Sequence, residues 1–375
     1  MKIKKISLKQ DALASAAIFC YWISVLYYYT VGMSGQLFNF LRMFFSIPAF
    51  ILVFFKRKTK HEESEFIKQL LLCFVLVIIG WLSSTSNHNL SYLAYGFMVL
   101  ANVGTALFMY YYKINEKIAI LLFLILSIIL IRYYVIHRNF TAVFSISRNY
   151  VSVFLFCFLG LIFISCGKRK ILLNILPIAV LLFSCMAGGR GGILTSIILN
   201  ICCFGITMKY GENKEKIYYI LGIIVAIMLF LVIFQFGDWV KTIRFFIGKF
   251  AYTGFGVDTD RVIYIYKPYI VACGHFENFL FGANMASVVD THLHNSYLMT
   301  HARFGIIGFC IFVVLLIRAF TYSLKKGNKM FAALILTLMV RAFTDTLFPV
   351  FAFDSIFFYI LFIGLKSEGT LKLKK

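Results

Sequence analysis

Residues 167–216 read GKRKILLNILPIAVLLFSCMAGGRGGILTSIILNICCFGITMKYGENKEK. Two apolar runs, 171–186 and 191–208, meet at a glycine-rich turn that carries one arginine, Arg190. Lysine clusters close both far ends. Runs like these, repeated along a whole chain, read as membrane-crossing helices rather than the core of a soluble domain. The charges then set the orientation. Lys168, Arg169 and Lys170 on one flank, with Lys209, Lys214 and Lys216 on the other, mark the cytoplasmic side. The turn holding Arg190 faces outward.

The same pattern extends in both directions. Of 375 residues, 61% are hydrophobic, 14% are charged and four are proline. The mean hydropathy is +0.88. Lipid admits only helices or closed barrels as spanning structures, and alternating strand patterns are missing. The expected fold is therefore all-α: a polytopic transmembrane helical protein in one integral membrane domain, 1–375. Twelve spans are expected, at 12–30, 37–55, 66–83, 91–111, 118–136, 149–166, 171–186, 191–208, 217–236, 295–320, 329–348 and 351–366. The first is read as a retained span, not a cleaved signal, because it is long and lacks a small-residue cleavage site. An even count puts both termini on one side. That side collects the N-terminal lysines, KRKTK at 56–60, Lys113, Lys117, KKGNK at 325–329 and the KLKK tail, and so is cytoplasmic.

Two function classes fall away early. The net charge of +22 is mostly this topology signal together with affinity for anionic lipid, so nucleic acid is not an expected partner. The nine cysteines lie almost all inside apolar runs without CxxC spacing, and read as small buried hydrophobes.

The outer side departs from a pure topology rule. Its cations are mostly arginine: Arg42, Arg132, Arg138, Arg148, Arg190, Arg244, Arg261, Arg303 and Arg341, beside Lys241, Lys249 and Lys267. Arginine's planar fork suits a bidentate grip on phosphate or carboxylate. Any one of them can be snorkelling or locally paired. As a group they point to an outer anion site. The outer side also holds the one long connection, 237–294. Loops of that length are functional or disordered, and this one is aromatic and nearly proline-free. WVKTIRFFIGKF, 239–250, is amphipathic and suits the membrane surface. DRVIYIYKPYIVA, 260–272, reads as a further helix with Arg261 near its start.

Three motifs in order then carry a family resemblance: Arg190 in its small-residue turn; Arg261 with Tyr264 and Tyr266, followed by FLFGAN at 279–284; and HNSYLMTHARFGIIGF, which supplies His294, Asn295, Tyr297, Leu298, Gly305 and Gly308. Over residues 186–320 the chain resembles the O-antigen ligase and polymerase superfamily, whose members include the Wzy-type polymerases of O-antigen and capsule and the ligases that load lipid A core. Two positions depart from the pattern. Gly189 stands where serine is usual before the arginine, and the 279–284 segment ends in Ala-Asn where a second glycine is common.

The resemblance implies a GT-C-like fold and a glycosyltransferase of the bacterial cytoplasmic (inner) membrane, its active site facing outward. The donor and acceptor would be polyprenyl-pyrophosphate-linked oligosaccharides, and a chain-length regulator protein is a possible partner. Transfer would be a direct inversion without cofactor or metal. A pyrophosphate leaving group gains charge as the anomeric bond breaks, and fixed cations stabilise that change. Arg190 and Arg261 are the candidate catalytic cations. An attacking hydroxyl benefits from a base, and imidazole changes charge near neutral pH, which makes His294 the candidate base. His294 also has a plain reading, as an interfacial histidine at the start of the tenth helix. Candidate substrate-binding residues are Asn295, Tyr297, Lys267, Arg303, His292, His301 and Arg341. Asn295 is equally a helix cap, and Arg341 pairs at i,i+4 with Asp345. His301 follows His294 by seven residues, on a similar helix face. Asp290-x-His292-x-His294 has metal-like spacing but lacks a full ligand set, so no metal is expected.

The favoured expectation is a polysaccharide polymerase. The alternatives are an O-antigen ligase, or a transporter such as a lipid-linked oligosaccharide flippase. Clustering of polar groups at the outer ends rather than at midplane disfavours the transporter.

Overall fold

A computed structural model describes residues 2–32, 35–56, 60–88, 91–112, 114–137, 143, 149–165, 170–233, 248, 261–288, 293–348 and 354–365. Among these residues the protein is all-helical, without strands. Nine helices precede the long loop: α1 (Lys2–Tyr27), α2 (Gly35–Lys56), α3 (Lys60–Ser86), α4 (Ser91–Tyr112), α5 (Glu116–His137), α6 (Tyr150–Ser165), α7 (Lys170–Ala187), α8 (Arg190–Tyr210) and α9 (Asn213–Ile233). Three short helices follow, α10 (Lys267–Ala272), α11 (Phe276–Phe281) and α12 (Met285–Val288). The chain closes with α13 (Ser296–Lys325), α14 (Lys329–Thr344) and α15 (Asp354–Leu365). Each expected span overlaps one of these helices. Five segments are long and apolar enough to cross a membrane: Leu13–Val31, Leu93–Tyr112, Glu116–His137, Arg190–Tyr210 and Ser296–Lys325.

The bundle is organised around α6. Every residue from Tyr150 to Phe163 is buried, so this helix is apolar all round, as a central helix must be. Trp22 of α1 meets Phe158 edge-on at 5.7 Å, and Tyr29 meets Phe154 at 5.2 Å. Gly160 lets α15 approach so closely that a Cβ there would lie 2.6 Å from the Ile360 side chain. In lipid the hydrophobic effect does little to drive helices together, and close packing with interhelical hydrogen bonds takes over. The Ser184–Ser196 hydroxyl pair at 2.8 Å joins α7 to α8, and the Thr207 hydroxyl donates to Asn174 at 3.0 Å across the same pair.

The structure departs from the expected spans at two places, the tenth and the eleventh. The tenth span is not one straight helix. Gly305 has φ +59°, and the helix breaks there into Ser296–Phe304 and a longer second part. A Cβ at Gly305 would overlap the Leu280 carbonyl oxygen, and one at Gly282 (φ +85°) would overlap the Ala302 and His301 carbonyl oxygens. Backbone therefore touches backbone at both glycines, which seats α11 in the break of α13. The eleventh span, expected over 329–348, is helical only to Thr344; Asp345 stands in the turn beyond it.

Alpha11 is also fixed from below. At the end of α3 the Ser83 hydroxyl donates to the Phe281 carbonyl at 2.5 Å, and the Asn87 amide donates to the Gly282 carbonyl at 3.0 Å. The Ser86 hydroxyl reaches Glu277 at 2.8 Å. The expected helix at 260–272 is present as a wide π turn, Val262–Tyr266, running into α10. The amphipathic segment 239–250 falls, apart from Gly248, outside the described residues.

Candidate active site at the helix ends

Four helix ends meet on one side of the bundle: the starts of α6, α8 and α13, and the end of α14. Thr344, the last residue of α14, is the hub. Its hydroxyl accepts from Arg341 Nη1 at 2.7 Å, and its carbonyl accepts from Arg261 Nη1 at 3.5 Å. Gly191, beside Arg190, presses on the same spot. A Cβ there would stand 2.6 Å from the Thr344 hydroxyl and 3.0 Å from Arg341 Nη1. The sequence AGGRGG thus has a steric reason: its glycines let the α8 turn reach Arg341, and Arg190 becomes the first residue of α8. Gly189 and Gly192 lie equally tight against Asn149 and Ser152 of the α6 start.

Arg341 is 1% exposed. It donates to the Asn149 carbonyl at 3.2 Å and to Asp345 Oδ2 at 3.2 Å. Asp345 turns its other oxygen toward His294, with Oδ1 3.7 Å from Nδ1, an ion-pair distance. The Thr346 amide donates to the same Oδ1 at 2.9 Å. Burial alone would raise the Asp345 carboxyl. The His294 imidazole nearby, the Arg341 guanidinium and the Thr346 amide outweigh burial, so the group sits below the usual aspartate range.

His294 is built with care. Its φ is +47°, a left-handed backbone that costs a non-glycine residue about 1–3 kcal/mol. Its surroundings hold it there. The Tyr266 hydroxyl donates to the His294 carbonyl at 3.3 Å. Asn295 caps α13, its side-chain oxygen accepting from the Tyr297 and Leu298 amides at 2.9 and 3.1 Å, while its amide reaches the Phe343 carbonyl at 3.3 Å. Next to it the Ser296 hydroxyl donates to the Asp345 carbonyl at 2.9 Å and accepts from the Leu347 amide at 2.6 Å. The start of α13 and the turn after α14 are thereby locked together. The imidazole is 39% exposed while the Asp345 side chain is 4% exposed. One face of the ring is anchored and the other is open.

The structure brings Arg190, Arg261, His294, Asn295 and Arg341 together. It places the remaining candidates elsewhere. The Tyr297 hydroxyl is committed to the Met339 carbonyl at 3.0 Å, bridging α13 and α14. His301 is buried with both ring nitrogens engaged: Nδ1 with the Tyr269 hydroxyl at 2.7 Å and Nε2 with the Phe279 carbonyl at 2.9 Å. It faces the loop helices, not His294, because His294 precedes the cap and is off the helix whose face the two were expected to share. Arg303 is buried and stacks 4.3 Å over the Tyr95 ring of α4. Lys267 is exposed at the start of α10. His292, Asp290, Arg138, Arg148, Arg244, Lys241 and Lys249 lie outside the described residues. Among the described residues no group of three or more His, Cys, Asp or Glu is placed to hold a metal.

Compared with protein-family models, curated proteins and solved structures, the chain matches none.

Proposed function

We propose that the protein is a glycosyltransferase that polymerises surface polysaccharide on the outer face of a bacterial cytoplasmic membrane, joining repeat units carried on polyprenyl pyrophosphate. One observation carries the reading. A half-exposed histidine backed by a buried carboxylate stands at the same helix ends as three arginines that are far apart in sequence. In this reading the acceptor hydroxyl attacks the anomeric carbon of the donor glycan. His294 takes the hydroxyl proton at Nε2, while Asp345 holds Nδ1 and steadies the imidazolium that forms. The anomeric C–O bond breaks, and its electron pair leaves with the pyrophosphate. Arg190 and Arg261 face that growing charge. Arg341, buried and shared with Asp345, shapes the site rather than gripping substrate.

In this reading the displacement runs on these side chains, without cofactor or metal. Ligation to lipid A core would use the same chemistry with another acceptor, and a lipid-linked oligosaccharide flippase would not need a base. A deletion strain complemented with wild type or His294→Ala, read by surface-polysaccharide gel, separates the three. Polymerisation gives a single repeat unit on the anchor in the variant. Ligation gives anchor without glycan and carrier-linked polymer that accumulates. A normal ladder from a well-inserted variant overturns the role of His294.

A further inference from the structure

A second cation is buried away from these helix ends. Arg42 of α2 is 5% exposed, two turns into an apolar helix. Its Nη2 donates to the Asn102 side chain of α4 at 2.9 Å and its Nη1 to Asn39 at 3.3 Å. Phe38 lies against the guanidinium at 5.7 Å from its ring centre. Tyr21 of α1 stands within hydrogen-bonding reach as well. A charge held this deep in a membrane protein is costly and marks a functional site by default.

A cavity of about 390 Å³ opens directly onto it, lined by Asn39, Arg42, Met43, Ala94, Phe97, Met98 and Ala101. Its polar floor is Arg42 with Asn39, and its walls are apolar. Outside, Phe40, Phe44 and Phe97 are exposed on the two helices that form the mouth. An opening flanked by exposed rings on membrane helices faces lipid rather than water. Arg42 side-chain carbons lean toward the start of α2.

We propose that the α2/α4 cavity is a binding site for a lipid phosphate. The phosphate would meet the Arg42 guanidinium, whose fork matches two phosphate oxygens, and the first carbons of the lipid chain would lie along Met43, Phe97 and Met98. The bond from Nη1 to Asn39 is long and is the one a phosphate oxygen displaces; the shorter bond to Asn102 keeps the guanidinium aimed. The site stands on its own observations and does not depend on the proposed transfer reaction. Two lipids share this chemistry, an anionic phospholipid of the surrounding leaflet and a polyprenyl phosphate.

Native mass spectrometry of the detergent-purified full chain tests it, with dioleoyl phosphatidylglycerol and undecaprenyl phosphate as probes and dioleoylglycerol as the phosphate-free control. Wild type is expected to retain one phosphate lipid at least tenfold more tightly than Arg42→Gln or Ala94→Trp. The second variant fills the mouth from an exposed position and leaves the Arg42 hydrogen bonds in place, so its melting temperature stays at the wild-type value. Preference for phosphatidylglycerol assigns the site to membrane phospholipid, and preference for undecaprenyl phosphate assigns it to a carrier lipid. Equal retention by wild type and Ala94→Trp, or the same tenfold difference with dioleoylglycerol, overturns the proposal.

Discussion

The carboxylate of Asp345 serves two partners at once, with Oδ1 3.7 Å from Nδ1 of His294 and Oδ2 3.2 Å from Nη2 of Arg341. The i,i+4 ion pair between the last turn of α14 and the residue that caps it is in this way extended to a histidine from a distant segment. For the proposed reaction, His294→Gln should lower turnover about 10²–10⁴-fold, the range of a lost general base. Polymer formation by purified protein in liposomes measures it. An unchanged rate would remove His294 from the chemistry.

The arginines should divide into two kinds. Arg341→Ala leaves Asp345 buried without its guanidinium partner, and should destabilise the fold by about 3–5 kcal/mol. Arg190→Ala and Arg261→Ala leave that pair intact. Each should cut activity about 10²–10³-fold with little change in thermal unfolding in detergent. Loss of stability in all three would make the cluster structural.

Gly305→Ala should fail to reach normal membrane levels. The new Cβ would meet the Leu280 carbonyl, and the positive φ adds strain of about 1–3 kcal/mol. Gly327→Ala is the control. It shares a positive φ, +73°, but has open space around it, and should be tolerated.

His301→Phe keeps the ring but removes its hydrogen bonds to the Tyr269 hydroxyl and the Phe279 carbonyl. The lost bond to the buried Tyr269 should cost about 1–3 kcal/mol. The loss should loosen α10 and α11 before the bundle itself. Limited proteolysis in detergent should then cut within 267–281 in the variant and spare wild type.

Acid should weaken the mouth in a definite window. The folded Asp345 carboxyl lies below its ordinary value, so its contribution to stability is complete above the usual aspartate range, about pH 4. It is lost as pH falls further, through the lowered folded value. Melting temperature in detergent followed from pH 6 downward should fall less steeply for Asp345→Asn than for wild type in that acid range.

Much of this was legible in the sequence. Hydropathy and lysine placement gave every long helix, because both are local signals. Arg190, Arg261, His294, Asn295 and Arg341 stood out because a cation or imidazole at the end of an apolar run needs a reason. The partners were harder. Asp345 could be read as i,i+4 to Arg341, but its hold on His294 spans 51 positions of chain. The hub at Thr344 uses main-chain carbonyls that no side-chain pattern announces. The break at Gly305 was hidden because apolar residues continue straight through it. His301 looked like part of the site since the spacing was counted as if α13 began before His294.

The contact between Asp345 and His294 also fixes a schedule. Asn149, Arg190, Arg261 and His294 all leave the ribosome before Arg341 and Asp345. The histidine therefore enters the membrane with nothing to back it, and waits for α14. A product truncated ahead of α14 would carry Arg190, Arg261 and His294 and still lack the carboxylate beside the imidazole. The site is complete only once α14 and the turn after it have been made.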